Sequence, residues 1–189
     1  LNWVILDGTE ELKTSEKLVT NYITETMKKS GMSYVYYDLK NMNILACRSC
    51  GICGFKSPGR CVYNDDMPDI IRAIAKSRGI IFLTPIRFGG YSSNLKKAVD
   101  KLALMGLPLY IVKEGNLLHP MRYGYFSLVG IGISNGSIEK QDEAFKMLVE
   151  RNALNMQAPH CGVLTLNMSE EINDIENKVM GMIEEVSSW

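Results

Sequence analysis

Short apolar runs alternate with helical periods from one end of the chain to the other. Trp3-Val4-Ile5-Leu6 is nearly all apolar, the pattern of a strand buried on both faces. Leu18, Val19, Tyr22, Ile23 and Met27 then fall on one face of a helix that Gly31 stops. Tyr34 to Tyr37 is aromatic and more polar, which suits an edge strand. Asp66 as N-cap and Pro68 in the first turn open a helix with Ile70, Ile71, Ile74 and Ala75 on its buried face. Ile80-Ile81-Phe82-Leu83 is a strand that Thr84-Pro85 breaks. Leu95, Ala98, Val99 and Leu102 mark the next helix, ending near Gly106. Residues 107–124 have no clean period, and so long a stretch reads as a lid or an oligomer arm. Phe126 to Ile133 is a strand, followed by a helix through Phe145, Leu148, Val149, Ala153 and Met156. Val163 to Leu166 is the last strand. Ser169 caps a final helix carrying Ile172, Ile175, Val179, Met182 and Val186, with Glu170 and Glu171 near its positive end. Five strands separated by helices imply right-handed crossovers and a parallel α/β sheet. No repeat or linker interrupts the chain, so residues 1–189 read as a single domain.

Composition changes this picture little, and charge narrows it. Hydrophobic residues make up 46% and charged residues 22%, which excludes a disordered chain. Lys plus Arg and Asp plus Glu both number 21, so no global basic field exists to hold nucleic acid or an anionic membrane. The uncharged stretch Tyr123 to Ile138 is broken by glycines and reads as strand and turn, not a membrane span. Leu1 to Gly8 lacks a basic n-region and a small-residue cleavage site, so no signal peptide is expected and the reading is a soluble cytoplasmic protein.

The cysteines carry the candidate chemistry. Cys47, Cys50, Cys53 and Cys61 form C-x2-C-x2-C-x7-C, with Gly51, Gly54 and Gly59 allowing tight bends. Three thiolates sharing a middle member can hold three corners of a cubane while a later cysteine closes the fourth, as in ferredoxin runs. Structural zinc more usually takes two separated hooks. Free surface thiols are the bland alternative, disfavoured because so dense a set would oxidise. Cys161 stands alone and reads as a small buried apolar residue beside a strand.

The cysteine loop, together with Asp65-Asp66-Met67, the run Thr84-Pro85-Ile86-Arg87-Phe88-Gly89-Gly90-Tyr91-Ser92 and Leu95 to Lys101, resembles the iron–sulfur flavoproteins. These belong to the wider NAD(P)H-dependent FMN reductase group of flavodoxin-like proteins. Gly115, His119, Arg122 and Tyr123 resemble an insert found in one branch of that group. The resemblance implies a doubly wound five-stranded parallel sheet of order 2-1-3-4-5, with helices on both faces and FMN at the switch point. It further implies that Thr9, Lys13, Thr14 and Ser15 lie at the FMN phosphate and that Thr84, Pro85, Ile86, Arg87, Phe88 and Gly89 carry the ring. Cys47, Cys50, Cys53 and Cys61 would ligate a [4Fe–4S] cluster, and the proteins of this group commonly form dimers or tetramers.

Two departures from that pattern stand out. The group's first loop has the form G-S-P-R-x-x-G-N-T, whereas here Gly8 to Ser15 reads GTEELKTS. Glu10 and Glu11 put negative charge where a dianion should sit, with Lys13 available to offset one of them. The usual aromatic after Pro85-Ile86 is replaced by Arg87, which can stack on a flavin or stabilise a reduced anionic one, or else is a surface arginine. Ser134, Asn135 and Gly136 follow the fourth strand at the same sheet edge and are placed to line a flavin rim, or form a plain turn. His119 and His160 are read as solvated and structural, respectively. No residue is assigned an acid–base role.

Two functions of different class follow. The first is an FMN-dependent oxidoreductase passing electrons between a nicotinamide cofactor, NAD(P)H, or a protein donor, FMN and the cluster. The second is an electron-carrier or interaction protein with weakened flavin binding and a cluster or zinc staple. Leu107, Leu109, Tyr110, Ile111, Val112, Leu117 and Leu118 are too apolar for a solvated loop, so a homodimer or homotetramer is expected, with a redox partner protein also possible.

Overall fold

The computed structural model describes residues 2–10, 14–136 and 139–189, with the side chains of residues 14–16 left out. β1 (Asn2–Asp7), β2 (Tyr34–Asp38), β3 (Ser77–Pro85), β6 (Ser127–Ser134) and β7 (Cys161–Asn167) pair in parallel in the order β2-β1-β3-β6-β7. This is the order that the resemblance implies. α1 (Thr14–Lys29) and α6 (Ile172–Ser187) cover one face; α3 (Met67–Ile74), α4 (Ser93–Lys101) and α5 (Glu139–Asn155) cover the other.

Strand alternation divides the core in two. Trp3 and Ile5 face α1 and α6, while Val4 and Leu6 face the opposite layer with Ile80 and Phe82. In β6 the face turned toward α5 carries two glycines after Leu128, Gly130 and Gly132. A Cβ at Gly130 would come within 2.5 Å of Val149, and one at Gly132 within 2.8 Å of both Ile86 and Phe145. Their absence lets α5 lie close on the sheet and draws the chain after β3 down onto the sheet end.

Several sequence expectations need correction. Residues 107–124 contain an antiparallel hairpin, β4 (Ile111–Lys113) and β5 (Asn116–Leu118), turning at Glu114-Gly115, both at positive φ. A four-residue helix, α2 (Ile52–Phe55), lies inside the cysteine loop. Ser169 does not cap α6: its amide and hydroxyl both donate to Asn167, and the helix opens at Glu171. Asp66 does occupy the N-cap position of α3, but its side chain accepts from the Asn43 amide (2.7 Å) and makes no capping bond. Ile172 is exposed and Ile183 fills the core position. Cys161 is exposed at the start of β7, the edge strand, and is not the buried residue that the sequence suggests.

Candidate functional site at the switch point

The chain leaves β1 toward β2 and leaves β3 toward β6, so the carboxyl ends of β1 and β3 open a crevice between diverging connections. The loops above it are knitted together. Gly8 donates its amide to Leu83 O at 2.8 Å, and its missing Cβ makes room for Leu95 and Ser92. Ser92 caps α4, donates its hydroxyl to Gly8 O, and donates its amide to Thr84 Oγ1 at 2.9 Å. Thr84 is buried and gives its own proton to Pro85 O, so its hydroxyl serves the loop and not a ligand.

Beyond Ile86, the chain makes a tight turn. Arg87 and Gly90 exchange both backbone hydrogen bonds, at 3.0 and 2.8 Å, with Phe88 at φ 51° and Gly89 at φ 74° between them. Gly89 is required twice, by its φ and because a Cβ there would meet Ala144 of α5 at 2.7 Å. Phe88 is bulky, adopts a conformation that L side chains disfavour, and exposes 99% of its surface. An exposed aromatic held on a strained turn at the switch point is a ready stacking platform.

The two departures noted in the sequence meet in space. Arg87 reaches Glu10 at 3.3 Å, with both side chains partly exposed. Glu10 is thus offset by Arg87, whereas Glu11 and Lys13 lie outside the described residues. Thr14 and Ser15 open α1, but their side chains also lie outside. Ser134 and Gly136 are tied to the β7 side: Ser134 Oγ donates to Leu166 O, and the Gly136 amide donates to Asn167 Oδ1 at 3.1 Å. Asn135 between them is exposed.

Sequence reasoning missed Asp7, the buried last residue of β1. Its Oδ1 accepts from the Thr9 amide at 2.9 Å and the Thr9 hydroxyl at 2.7 Å. Its Oδ2 accepts from Tyr36 at 2.6 Å and Thr20 at 3.1 Å. Burial, and then the bond to Asp7, push the Tyr36 hydroxyl well above the ordinary tyrosine range, so it remains the donor. A groove of about 440 Å³ opens beside this network between α1 and β2, with Asp7, Glu10, Lys17, Asp38 and Lys40 in its lining. The turn after β3 suits the ring end of a flavin, and Lys17 and Lys40 bring positive charge to the groove beside β1.

The cysteine loop springs from the same sheet edge. Its two stems are clamped by neighbouring acids: Asp65 accepts from the amides of Leu45 (3.0 Å) and Met67 (3.2 Å), and Asp66 from that of Asn43. Lys101 of α4 neutralises Asp65 in a pair buried to 1% and 0% side-chain exposure. Burial alone would raise the Asp65 carboxyl, but Lys101 and the two amides outweigh it and hold it below the usual range. The loop also packs on the insert, Gly54 against Pro108 and Gly59 against Arg122 and Tyr123. His119 sits at the hairpin base, where Nδ1 faces the carbonyls of Leu107 (3.0 Å) and Leu109 (2.8 Å), a structural role.

Burial raises the Cys53 thiol, and Cys47, Cys61 and Cys50 add to the rise. Cys47 and Cys50 are exposed; Cys53 and Cys61 are half-buried. Among the described residues, however, no three His, Cys, Asp or Glu side chains are grouped as a metal would require. Four neutral thiols do not attract one another; converging ligands need the metal's own binding energy. The donor chemistry fits a thiolate-bound centre, although a coordinating arrangement is not preformed.

Sheet order and switch-point crevice define a flavodoxin-like protein. The family model for NADPH-dependent FMN reductases matches residues 1–169, and the chain belongs to that family of flavin oxidoreductases. It is 27% identical over 149 residues to an iron–sulfur flavoprotein of Methanosarcina thermophila, covering 78% of this chain and 73% of that one. Against an iron–sulfur flavoprotein of Methanocaldococcus jannaschii it is 25% identical over 96 residues, 51% of this chain and 49% of that one. Among solved structures, an NAD(P)H:quinone oxidoreductase from Methanothermobacter marburgensis superposes with TM-score 0.71 at 15% identity, covering 99% and 97% of the chains. An FMN-dependent NADH-azoreductase from Bacillus anthracis, solved with FMN, gives 0.67 at 11% identity, covering 100% and 98%. Those two likenesses speak to the fold.

Proposed function

We propose that this protein is a flavin-dependent oxidoreductase that takes electrons from NAD(P)H or a protein donor and passes them on through a metal centre in the cysteine loop. The observation that carries the reading is the switch-point crevice with its tight turn, where Arg87 and Phe88 stand exposed over the ends of β1 and β3. Backbone groups of that turn would position the ring, and Ile86 packed on Gly132 fixes the turn's height above the sheet. The protein's part is orientation and the exclusion of water; the hydride chemistry belongs to the flavin. Cys47, Cys50, Cys53 and Cys61 are the residues that would hold a [4Fe–4S] cluster, which supplies one-electron transfer.

A second reading, an electron-carrier or interaction protein with weakened flavin binding and a zinc staple, is favoured by Asp7 and Glu10 at the phosphate end. Anaerobic purification with an absorption spectrum and iron, sulfide, zinc and flavin analyses separates the two. Flavin bands with iron and sulfide are expected, whereas zinc without flavin would establish the second reading. Self-association through the insert completes the proposal. A two-stranded ribbon is marginal alone, and β4–β5 leaves Leu109, Tyr110, Val112 and Leu117 exposed. No helix among the described residues is long and apolar enough to cross a membrane.

A further inference from the structure

We infer that Tyr63 is a positioning residue for the metal centre. Its ring clips the segment that carries Cys47 to the segment that carries Cys61, so the loop meets a metal with its first and last ligands already constrained. The inference rests on the metal reading of the cysteine loop given above.

The clip is a pair of cation–π contacts. Tyr63 stands just beyond Cys61, and the guanidinium of Arg48, next to Cys47, lies 5.4 Å from the centre of its ring. Lys101 Nζ lies 5.5 Å from the same centre. Both distances fall within the range over which an aromatic face attracts a cation. Lys101 is fixed, because its ammonium is buried against Asp65, so the ring is seated on α4 and not only on its own loop. Arg48 is exposed, and the chain has no acidic residue between Asp38 and Asp65, so no carboxylate of the loop competes with the ring for it. The Tyr63 hydroxyl makes no hydrogen bond to a described residue, which leaves the ring as the working part of the side chain.

At the other end of the clip, Cys47 is itself oriented. Ser49 stands at φ 51°, uncommon for a residue with a side chain, and donates its amide to Cys47 Sγ at 3.4 Å. The loop's own backbone therefore directs this sulfur. A loop ordered by metal alone would lose affinity to the ordering of its own chain, since binding and folding draw on the same free energy. Holding the Cys47 and Cys61 segments together beforehand removes part of that loss. Asp65 and Asp66 brace the stems from outside by accepting the amides of Leu45 and Asn43, and the Arg48–Tyr63 contact is the link that crosses between them.

The test is a cobalt(II) titration of the whole chain, freed of metal under anaerobic, reducing conditions. The wild type is compared with Tyr63→Phe, Tyr63→Leu, Arg48→Met and the combined Tyr63→Leu and Arg48→Met variant. Thiolate-to-cobalt charge-transfer absorption gives the affinity, and circular dichroism reports folding. Tyr63→Phe is expected to match the wild type, because the ring remains. Tyr63→Leu and Arg48→Met should each weaken cobalt binding by about threefold to tenfold. The combined variant should bind as Tyr63→Leu does, because both changes remove the same contact. Tyr63→Phe as weak as Tyr63→Leu, unchanged affinity in Tyr63→Leu or in Arg48→Met, or losses that multiply in the combined variant would each overturn the inference while leaving the metal reading intact. If Tyr63→Leu fails to fold, Arg48→Met, a change at an exposed position, decides alone. Wild-type protein without thiolate-to-cobalt absorption would overturn the metal reading, and this inference with it.

Discussion

Replacing Lys101 with methionine removes the counter-charge of a buried carboxylate while keeping most of the apolar stem. Lys101 and Asp65 are 1% and 0% exposed, and Lys101 Nζ lies 5.5 Å from the centre of the Tyr63 ring. The pair ties α4 to the stem of the cysteine loop. Breaking a buried pair by removing one partner costs about 3–5 kcal/mol, because an unpaired charge stays inside. For a chain of this size each kcal/mol moves Tm by roughly 2–4 °C, so a drop of about 6–20 °C is expected. The sign with pH follows from the partners. In the wild type the Asp65 carboxyl is held below its ordinary value, so its contribution is present above the ordinary carboxylate range and is lost as pH falls through the lowered value. In Lys101→Met only burial and the two amides remain, and a protonated Asp65 no longer needs a counter-ion. The deficit should therefore be largest at neutral pH and shrink toward about pH 4. Urea unfolding of both proteins across that range measures it, and adding Asp65→Asn to the variant should recover part of the loss at neutral pH. A deficit below about 1 kcal/mol at neutral pH, or one that does not change with pH, would refute the argument.

Gly79→Ala places a methyl 2.2 Å from the Trp3 ring. It should destabilise by roughly 1–3 kcal/mol and alter tryptophan fluorescence; an unchanged denaturation midpoint would mean that Trp3 can move aside. Val112→Lys with Leu117→Lys puts like charges directly opposite on the exposed ribbon, at the Val112–Leu117 pair. Light scattering at micromolar concentration should find the wild type self-associated and this variant monomeric, and a monomeric wild type would sink the assembly reading.

The sheet was legible wherever apolar runs were long enough to state which face each residue takes. In β1, Trp3 and Ile5 divide cleanly from Val4 and Leu6, and β3 and β6 continue the same alternation. The β4–β5 hairpin escaped because three-residue strands hold too little period, and Glu114-Gly115 is a weaker turn signal than Asn-Gly or Asp-Gly. Asp7 was overlooked for a different reason. Ending an apolar run just before Gly8, it reads as the polar residue at which a strand stops, and its four donors come from positions 9, 20 and 36. One signal was available: an acid at the carboxyl end of the first strand of a doubly wound sheet stands where ligands bind. The Glu10–Arg87 pair spans 77 positions, so no local pattern could join its members.

The two acids at the head of the crevice differ in what they can yield. Glu10 and Arg87 are joined across the loops that follow β1 and β3, at 3.3 Å and partly in solvent. An exposed pair of this kind contributes about 0–1 kcal/mol, so a ligand entering the crevice can part it at little cost and find Arg87 freed to meet an anion. Asp7 has no such freedom. To turn away from a ligand it would have to abandon four hydrogen bonds, two of them to the loop that the ligand itself must contact. Each bond to a charged group contributes about 1.5–3 kcal/mol, so the network holds against a ligand that competes for its donors. The residue that looks like the larger departure in the sequence is therefore the more adaptable one. The unyielding acid lies deeper, at the end of β1, where its carboxylate holds Thr9 by both amide and hydroxyl.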